Sequence, residues 1–485
     1  MMDYEKVVEL SKKCNFIPIC REVYSDLTTP VSLLKKLEER SSRFFLLESV
    51  EDGKNWGRYS FLGLSPNMRV TCKNDLISIF RDEKTLQIPT QKPFVILRQI
   101  LEEYKVPKLE NMPPFTGGLV GFFAYSMFRY KERKLKLRES EFNDFDLMLF
   151  TDVIVFDHLK QKVFIIVNIS TDNLKKNYRK ANEQIDAIES IIRATPVPEV
   201  QFDNLPTSFQ CNMSREDYCE VVEKTKKYIY DGDIFQAVLS RKFKATMKGS
   251  LVNAYRVLRT TNPSPYMVYL KIDDLDLMCS SPETLVRLRD GCLTTFPIAG
   301  SRPRGKTKQE DELLEKELLS DEKELSEHNM LVDLGRNDLG MISEIGSVRV
   351  TEYMTIHRYS KIMHICSRVE SKIVPGHDAL DAIEAILPAG TLSGAPKIRA
   401  CEIIEELEAE PRGIYGGALG YIDFTGNMDT CIAIRMAVKK GDTVHIQAGG
   451  GIVADSVGEM EFEESGNKAS AVMNAVLRAK EVDDI

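Results

Sequence analysis

No stretch of this 485-residue chain approaches the roughly 20 consecutive apolar residues that a membrane-spanning helix needs. Met1 to Leu10 carries Asp3, Glu5 and Glu9, so the cationic start of a secretory or transit peptide is missing. An excess of basic residues is missing too. With 65 Lys and Arg against 73 Asp and Glu the net charge is −8, which argues against nucleic-acid or anionic-membrane partners. The ten cysteines form no CxxC pair and no Cys/His spacing of the zinc type, so a reducing cytoplasm is the expected location. Repeats and low-complexity blocks are absent, which excludes solenoids and arrays. Neither a serine elbow nor a Cys-His pairing supports covalent hydrolase chemistry. Gly117-Gly118-Leu119-Val120-Gly121 lacks the Walker lysine and the GxGxxG order, so close backbone packing explains it better than phosphate binding.

At 43% hydrophobic and 28% charged, the composition is that of an ordinary globular protein, long enough for two or three domains. Pro196, Pro198 and Pro206 interrupt a polar stretch from Ala194 to Cys211, read as the join between an N-terminal lobe (1–200) and a C-terminal lobe (201–485), the two interwoven in one compact unit. Val31 to Arg40 has helical spacing, whereas Phe44 to Leu47 and Val153 to Phe156 are apolar runs of strand length. Ser214-Arg215-Glu216-Asp217 is a capping box before a helix to about Tyr230. Strands are expected at Ala237–Leu239, Tyr266–Ile272, Ala418–Ile422, Thr430–Val438 and Thr443–Ala448. Helices are expected at about Lys308–Leu334, Ala379–Ile386, Ala395–Leu407 and Glu459–Glu481. Hairpin-like neighbours favour an antiparallel α+β fold over a doubly wound parallel one.

Several segments could carry chemistry. Glu324 and Glu327 share one helix face, as do Glu461 and Glu464, with Lys468 one turn on. Each pair alone also reads as a solvated face. However, the second follows Gly449-Gly450-Gly451, where backbone must approach something closely, and two converging carboxylate pairs would suit magnesium. Arg302-Pro303-Arg304-Gly305 is either a basic surface turn or a shaped loop. The Gly/Ser/Thr-rich run Pro388 to Lys397 feeds a helix start and offers amides and hydroxyls to an anion, or is simply a capped loop. His364 lies in an apolar segment, as a satisfied core residue or as a base. Arg435, on an otherwise apolar strand, needs a carboxylate from the protein or from a ligand.

Together these segments resemble the chorismate-utilising enzymes, which comprise anthranilate, aminodeoxychorismate, isochorismate and salicylate synthases. The resemblance covers nearly the whole chain. It rests on Pro297 through Gly305, Glu327-His328-Asn329-Met330-Leu331-Val332-Asp333-Leu334 with Arg336-Asn337-Asp338, and Pro388 through Lys397. Tyr415-Gly416-Gly417, Gln447 through Ser456, and Glu461-Phe462-Glu463-Glu464 with Asn467-Lys468 complete it. Gln236 stands where water-using members carry a lysine base, and Ala299 where aminodeoxychorismate synthases carry a nucleophilic lysine. Both point to the anthranilate synthase large subunits, with aminodeoxychorismate synthase component I as the alternative. A tryptophan-sensing or scaffolding subunit without turnover is the non-enzymatic alternative. The chain departs from the family pattern at Ser301 (for threonine), Gly450 (for alanine) and Val457-Gly458 (for Asp-Pro).

The resemblance implies a two-lobed fold whose antiparallel sheets form a central sandwich with helices outside. It implies a magnesium-dependent lyase that makes anthranilate and pyruvate from chorismate and ammonia, the first committed step of tryptophan biosynthesis. Glu324, Glu327, Glu461 and Glu464 would surround Mg2+, with Lys468 behind them. Gly300, Ser301, Thr391, Tyr415, Arg435 and Gly449 to Gly451 would hold the substrate. Glu283 would protonate the departing C4 hydroxyl and His364 would remove the C2 proton. Leu47, Glu48, Ser49, Pro265, Tyr266 and Met267 match segments of a tryptophan feedback pocket. The chain has no GxCxG elbow, so the expected partner is a glutamine amidotransferase subunit in a hetero-oligomer.

Overall fold

In the computed structural model, residues 2–26, 28–49, 57–195, 205–358 and 362–483 are described. Among them the strands form two 12-stranded antiparallel sheets. Period-2 alternation explains how one strand serves two layers. In Arg43–Glu48, Phe45 and Leu47 enter the core between the sheets, while Phe44 and Leu46 face the outer layer of helices. The inter-sheet core draws Val120, Phe122, Met148 and Leu419 from one sheet and Val268, Leu270 and Leu277 from the other. Outside one sheet lie helices Leu174–Arg193, Val252–Thr261 and Gly458–Leu477; outside the other lie Ala379–Ile386 and part of Glu322–Gly340. The molecule is therefore an α+β sandwich between two helical layers, the architecture expected from the sequence.

The sheets mix early and late parts of the chain. Arg43–Glu48 pairs with Tyr266–Ile272, and Gly118–Phe123 pairs with Ala418–Asp423. The second pairing accounts for the glycine run of the N-terminal half. A Cβ on Gly118 would lie 2.1 Å from the Ile422 carbonyl oxygen, and one on Gly121 would lie 2.0 Å from that of Asp146. Close backbone packing was the reading preferred from sequence.

Two long elements differ from expectation, each for a local reason. The expected helix Lys308–Leu334 is two helices, Lys308–Ser320 and Glu322–Gly340. Asp321 breaks it by taking an extended ψ of 101° and accepting hydrogen bonds from the Lys323 and Glu324 amides, so it caps the second helix. Glu324 and Glu327 thus begin a new helix instead of lying mid-way along an old one. The expected strand Thr430–Val438 is also two elements. Met428–Ile432 belongs to one sheet and Met436–Lys440 to the other, and Arg435 between them has a left-handed φ of 48°. Arg435 is consequently a crossover residue and not a strand residue. The helix expected from Ala395 starts at Lys397, with Pro396 as its cap.

Candidate active site

The chain changes sheets twice at one end of the sandwich. Leu275–Ser281 and Met436–Lys440 pair in the first sheet, and Thr284–Arg289 and Met428–Ile432 pair in the second. Pro282-Glu283 and Ala433-Ile434-Arg435 are therefore adjacent crossovers. They are tied by Ile432 N–H donating to the Glu283 carbonyl (3.0 Å) and Ser280 N–H donating to the Arg435 carbonyl (3.0 Å). Backbone leaving a sheet cannot cover its own side chains, so both residues are presented where the two sheets part.

Around this double crossover the structure gathers most of the expected residues. Thr391, in the 3-10 turn Gly390–Leu392, donates its hydroxyl hydrogen to Glu283 Oε2 at 3.0 Å. Burial pushes the Glu283 pKa up, against the Thr391 hydrogen bond and the positive charges of Arg435 and Lys468. Burial likewise pulls Arg435 below its ordinary value, offset by the negative charge of Glu283. Its guanidinium makes no hydrogen bond or ion pair among the described residues. His364 pairs across the sheet with Ser301, and its Nδ1 lies 3.1 Å from the Gly300 carbonyl oxygen. If Nδ1 carries the proton, that contact leaves Nε2 with its lone pair. Burial lowers the His364 pKa, against the Gly300 carbonyl contact, and the charge of Arg435 lowers it further. Only the backbone of Ser301 can be placed, because its side chain lies outside the described residues. Tyr415 is buried, its ring 5.8 Å from the Arg412 guanidinium, and burial raises its pKa above the ordinary value.

Gly449, Gly450 and Gly451 lie opposite Ser240, Leu239 and Val238 in the neighbouring strand. Their three missing side chains make room for different things. A Cβ on Gly449 would strike the Leu239 carbonyl oxygen at 2.0 Å, one on Gly450 would lie 2.9 Å from Glu461 Oε2, and one on Gly451 would fall on the Gln236 amide. The alanine common in the family at position 450 would displace the Glu461 carboxylate here.

The two carboxylate helices meet at this place. Burial raises the pKa of Glu327, and the charges of Glu324 and Glu464 raise it further against Lys468. Glu461 is raised by burial and by Glu464, against a hydrogen bond from the Ser456 hydroxyl (2.9 Å). Lys468 reaches Glu464 at 2.7 Å and donates to the Gly449 carbonyl at 3.3 Å. Glu324 and Glu461 lie in the first turns of their helices, where the dipole favours negative charge, and Glu327 and Glu464 follow one turn on. Among the described residues no three His, Cys, Asp or Glu side chains already converge as metal ligands. The carboxylates do not form a closed cage. An oxygen-liganded ion that keeps waters and takes substrate oxygens suits such an incomplete set.

A second site lies in the sandwich interior. Leu47, Glu48, Ser49, Pro265, Tyr266 and Met267 all line one cavity of about 250 Å3. Glu48 accepts from the Tyr255 hydroxyl (2.7 Å) and from Arg259 (2.6 Å), and the Ser49 hydroxyl has no partner among the described residues. The Tyr266 hydroxyl lies 2.9 Å from Thr284 Oγ1, the residue after Glu283, so cavity and site share a strand end.

One residue escaped the sequence reading. Buried Arg412 donates to the carbonyls of Leu392 and Val238 (both 2.5 Å) and to Glu408 (2.6 Å). It pins the turn that carries Thr391. An arginine among the apolar and glycine residues of Pro411 to Gly417 was the available signal.

The family described as chorismate binding enzyme matches residues 44–474. Anthranilate synthase component 1 of Acetivibrio thermocellus is 46% identical over 99% of this chain and 99% of its own length. The crystal structure of anthranilate synthase component I from Streptococcus pneumoniae TIGR4 superposes with a TM-score of 0.76 at 34% identity, over 93% of this chain and 99% of that one. The menaquinone-specific isochorismate synthase MenF of Escherichia coli shares the fold at 19% identity, with a TM-score of 0.70 over 98% of both chains.

Proposed function

The chain belongs to the chorismate-binding enzymes, and from that premise we infer that it forms anthranilate from chorismate, as its component 1 relatives are named for doing. The observation that carries the chemistry is the double crossover. It sets a carboxyl whose pKa is raised (Glu283) beside a guanidinium that makes no hydrogen bond or ion pair among the described residues (Arg435), and Glu327 and Lys468 are close enough to act on Glu283.

Chorismate carries two carboxylates and a C4 hydroxyl. Arg435, with the Tyr415 hydroxyl and the amides of Gly449 to Gly451, binds the enolpyruvyl carboxylate. Glu324, Glu327, Glu461 and Glu464 fit a magnesium ion by donor type and by charge, and burial raises the pKa of Glu327 and of Glu461, whose charged forms a cation would favour. When bound, that ion neutralises the ring carboxylate and draws electron density from the ring. Ammonia forms a bond to C2, the ring double bond shifts, and the C4 hydroxyl leaves as water with the proton of Glu283. Thr391 holds the Glu283 carboxyl in place for that transfer. Neutral His364 then takes the C2 proton as the enolpyruvyl C–O bond breaks, and pyruvate leaves an aromatic ring. Gln236 and Ala299 supply neither a base for water nor an amine for covalent attack, so ammonia is the nucleophile left. Incubation of the pure chain with chorismate, magnesium and ammonium should yield fluorescent anthranilate, and a 4-amino product would overturn the assignment.

The ammonia comes from a glutamine amidotransferase subunit, and the pathway places the enzyme in the cytoplasm. Tryptophan occupies the cavity at Leu47 to Ser49 and Pro265 to Met267, its ammonium group near Glu48 and Ser49. Ser49→Phe fills part of that cavity, so inhibition by tryptophan should weaken about tenfold or more while uninhibited turnover stays. An inhibition curve identical to that of the wild type would remove the feedback assignment.

A further inference from the structure

Thr391 can hold the Glu283 carboxyl only while its own turn stays still. A short 3-10 turn such as Gly390–Leu392 makes few hydrogen bonds of its own. Buried charged side chains grip it at both ends instead. At the first end the Gly390 amide donates to Asp338 Oδ2 (3.4 Å), and Lys397 donates to Asp338 Oδ1 (2.9 Å) and to the Ile386 carbonyl (2.9 Å). At the far end Arg412 donates to the Leu392 carbonyl while its other nitrogens meet Glu408 and the Val238 carbonyl. Glu408 accepts in turn from the Ser240 amide (2.9 Å) and hydroxyl (2.6 Å), which ties strand Gln236–Thr246 to the same point.

Stability alone would not select these groups. Asp338 lies in the last turn of helix Glu322–Gly340, where the helix dipole disfavours a carboxylate. Burial pushes its pKa up, against the charge of Lys397. Apolar side chains of similar volume often replace a buried ion pair without loss of stability. What apolar side chains cannot do is fix the direction of a backbone amide or carbonyl, and a charge-assisted hydrogen bond does. Helix Glu322–Gly340 also carries Glu324 and Glu327 near its start, so one rod relates the carboxylate end of the site to the Thr391 turn. Leu334 of that helix lies directly under the turn, 3.0 Å from where a Cβ on Gly390 would stand.

We propose that Asp338 and Arg412 are positioning residues for the proton transfer. By holding the two ends of the Gly390–Leu392 turn, they keep the Thr391 hydroxyl on Glu283 Oε2 and the carboxyl aimed at the departing C4 oxygen. The proposal rests on the reading of Glu283 as that acid. Neither residue belongs to the groups assigned to chorismate, so their loss is felt in kcat and not in the KM for chorismate.

The test is a pair of double-variant cycles on the full chain, with chorismate, magnesium and ammonium. Arg412→Lys keeps a cation for Glu408 and loses the fork that reaches Leu392, and Asp338→Asn keeps the shape and loses the charge. Each should lower kcat about 10- to 100-fold and leave the KM for chorismate within about twofold. In a Thr391→Val background the hydroxyl is already gone, so the same substitutions should lower kcat by no more than about twofold further. A merely structural role predicts losses that multiply in both backgrounds. That result, or wild-type kcat in Thr391→Val or in the single variants, overturns the positioning proposal alone, provided that Glu283→Gln is impaired. Should one variant not fold, the cycle on the other decides. Wild-type turnover in Glu283→Gln overturns the reading of Glu283 itself, and the positioning proposal with it.

Discussion

Glu461→Gln abolishes magnesium-supported anthranilate formation, by about 10^3-fold or more, and leaves the fold intact. The expected size follows from what the carboxylate faces. It is half-buried, it is crowded by Glu464, and the Ser456 hydroxyl holds its Oε1. A glutamine of equal shape still accepts that hydrogen bond, so the helix start and the Val453–Ser456 turn survive and the melting temperature should stay close to that of the wild type. What disappears is one negative charge beside Glu464. Losing a hard oxygen ligand and its charge costs several kcal/mol of transition-state stabilisation, and about 4 kcal/mol corresponds to 10^3-fold. The discriminating measurement is a magnesium titration. The variant should need far more metal for any residual rate, whereas wild-type turnover at wild-type magnesium would remove the ion from the site.

The sequence shows which residues matter more clearly than it shows how they meet. Glu324, Glu327, Glu461 and Glu464 are legible because helical spacing puts each pair on one face. Their meeting is not legible, since 134 residues separate Glu327 from Glu461 and nothing local specifies that approach. The antiparallel sheet is legible from hairpin-like neighbours such as Thr430–Val438 and Thr443–Ala448. Arg435 shows the limit of that signal. Thr430 to Val438 reads as one apolar strand because both of its parts are buried, and periodicity cannot tell which sheet each half joins. The left-handed turn that separates them is set by the two sheets parting and not by a glycine or proline. The break at Asp321 was within reach, because an aspartate before Glu-Lys-Glu is an N-cap signature inside a charged run. Gly450 reads as a departure that loosens a loop, whereas in the fold its missing methyl is space taken by Glu461.

Glu283→Gln should lower turnover by about 10^2- to 10^4-fold, because the amide still accepts the Thr391 hydroxyl but has no acidic proton for the departing C4 oxygen. The pH profile separates this role from mere positioning. Glu283 must be protonated, and burial raises its pKa above the ordinary 4.5, so its working form is lost as pH rises through that raised value. His364 must be neutral, and burial lowers it below the ordinary 6.5, so its working form is lost as pH falls through that lowered value. The two shifts move toward each other, which enlarges the fraction of enzyme holding both forms at once compared with the unshifted pair. The alkaline limb of kcat/KM in the wild type should therefore belong to Glu283. In Glu283→Gln that limb should vanish while the acid limb of His364 remains. A variant that kept both limbs at a reduced rate would show that Glu283 only orients Thr391 and Arg435, and the proton for the leaving hydroxyl would have to come from elsewhere in the site.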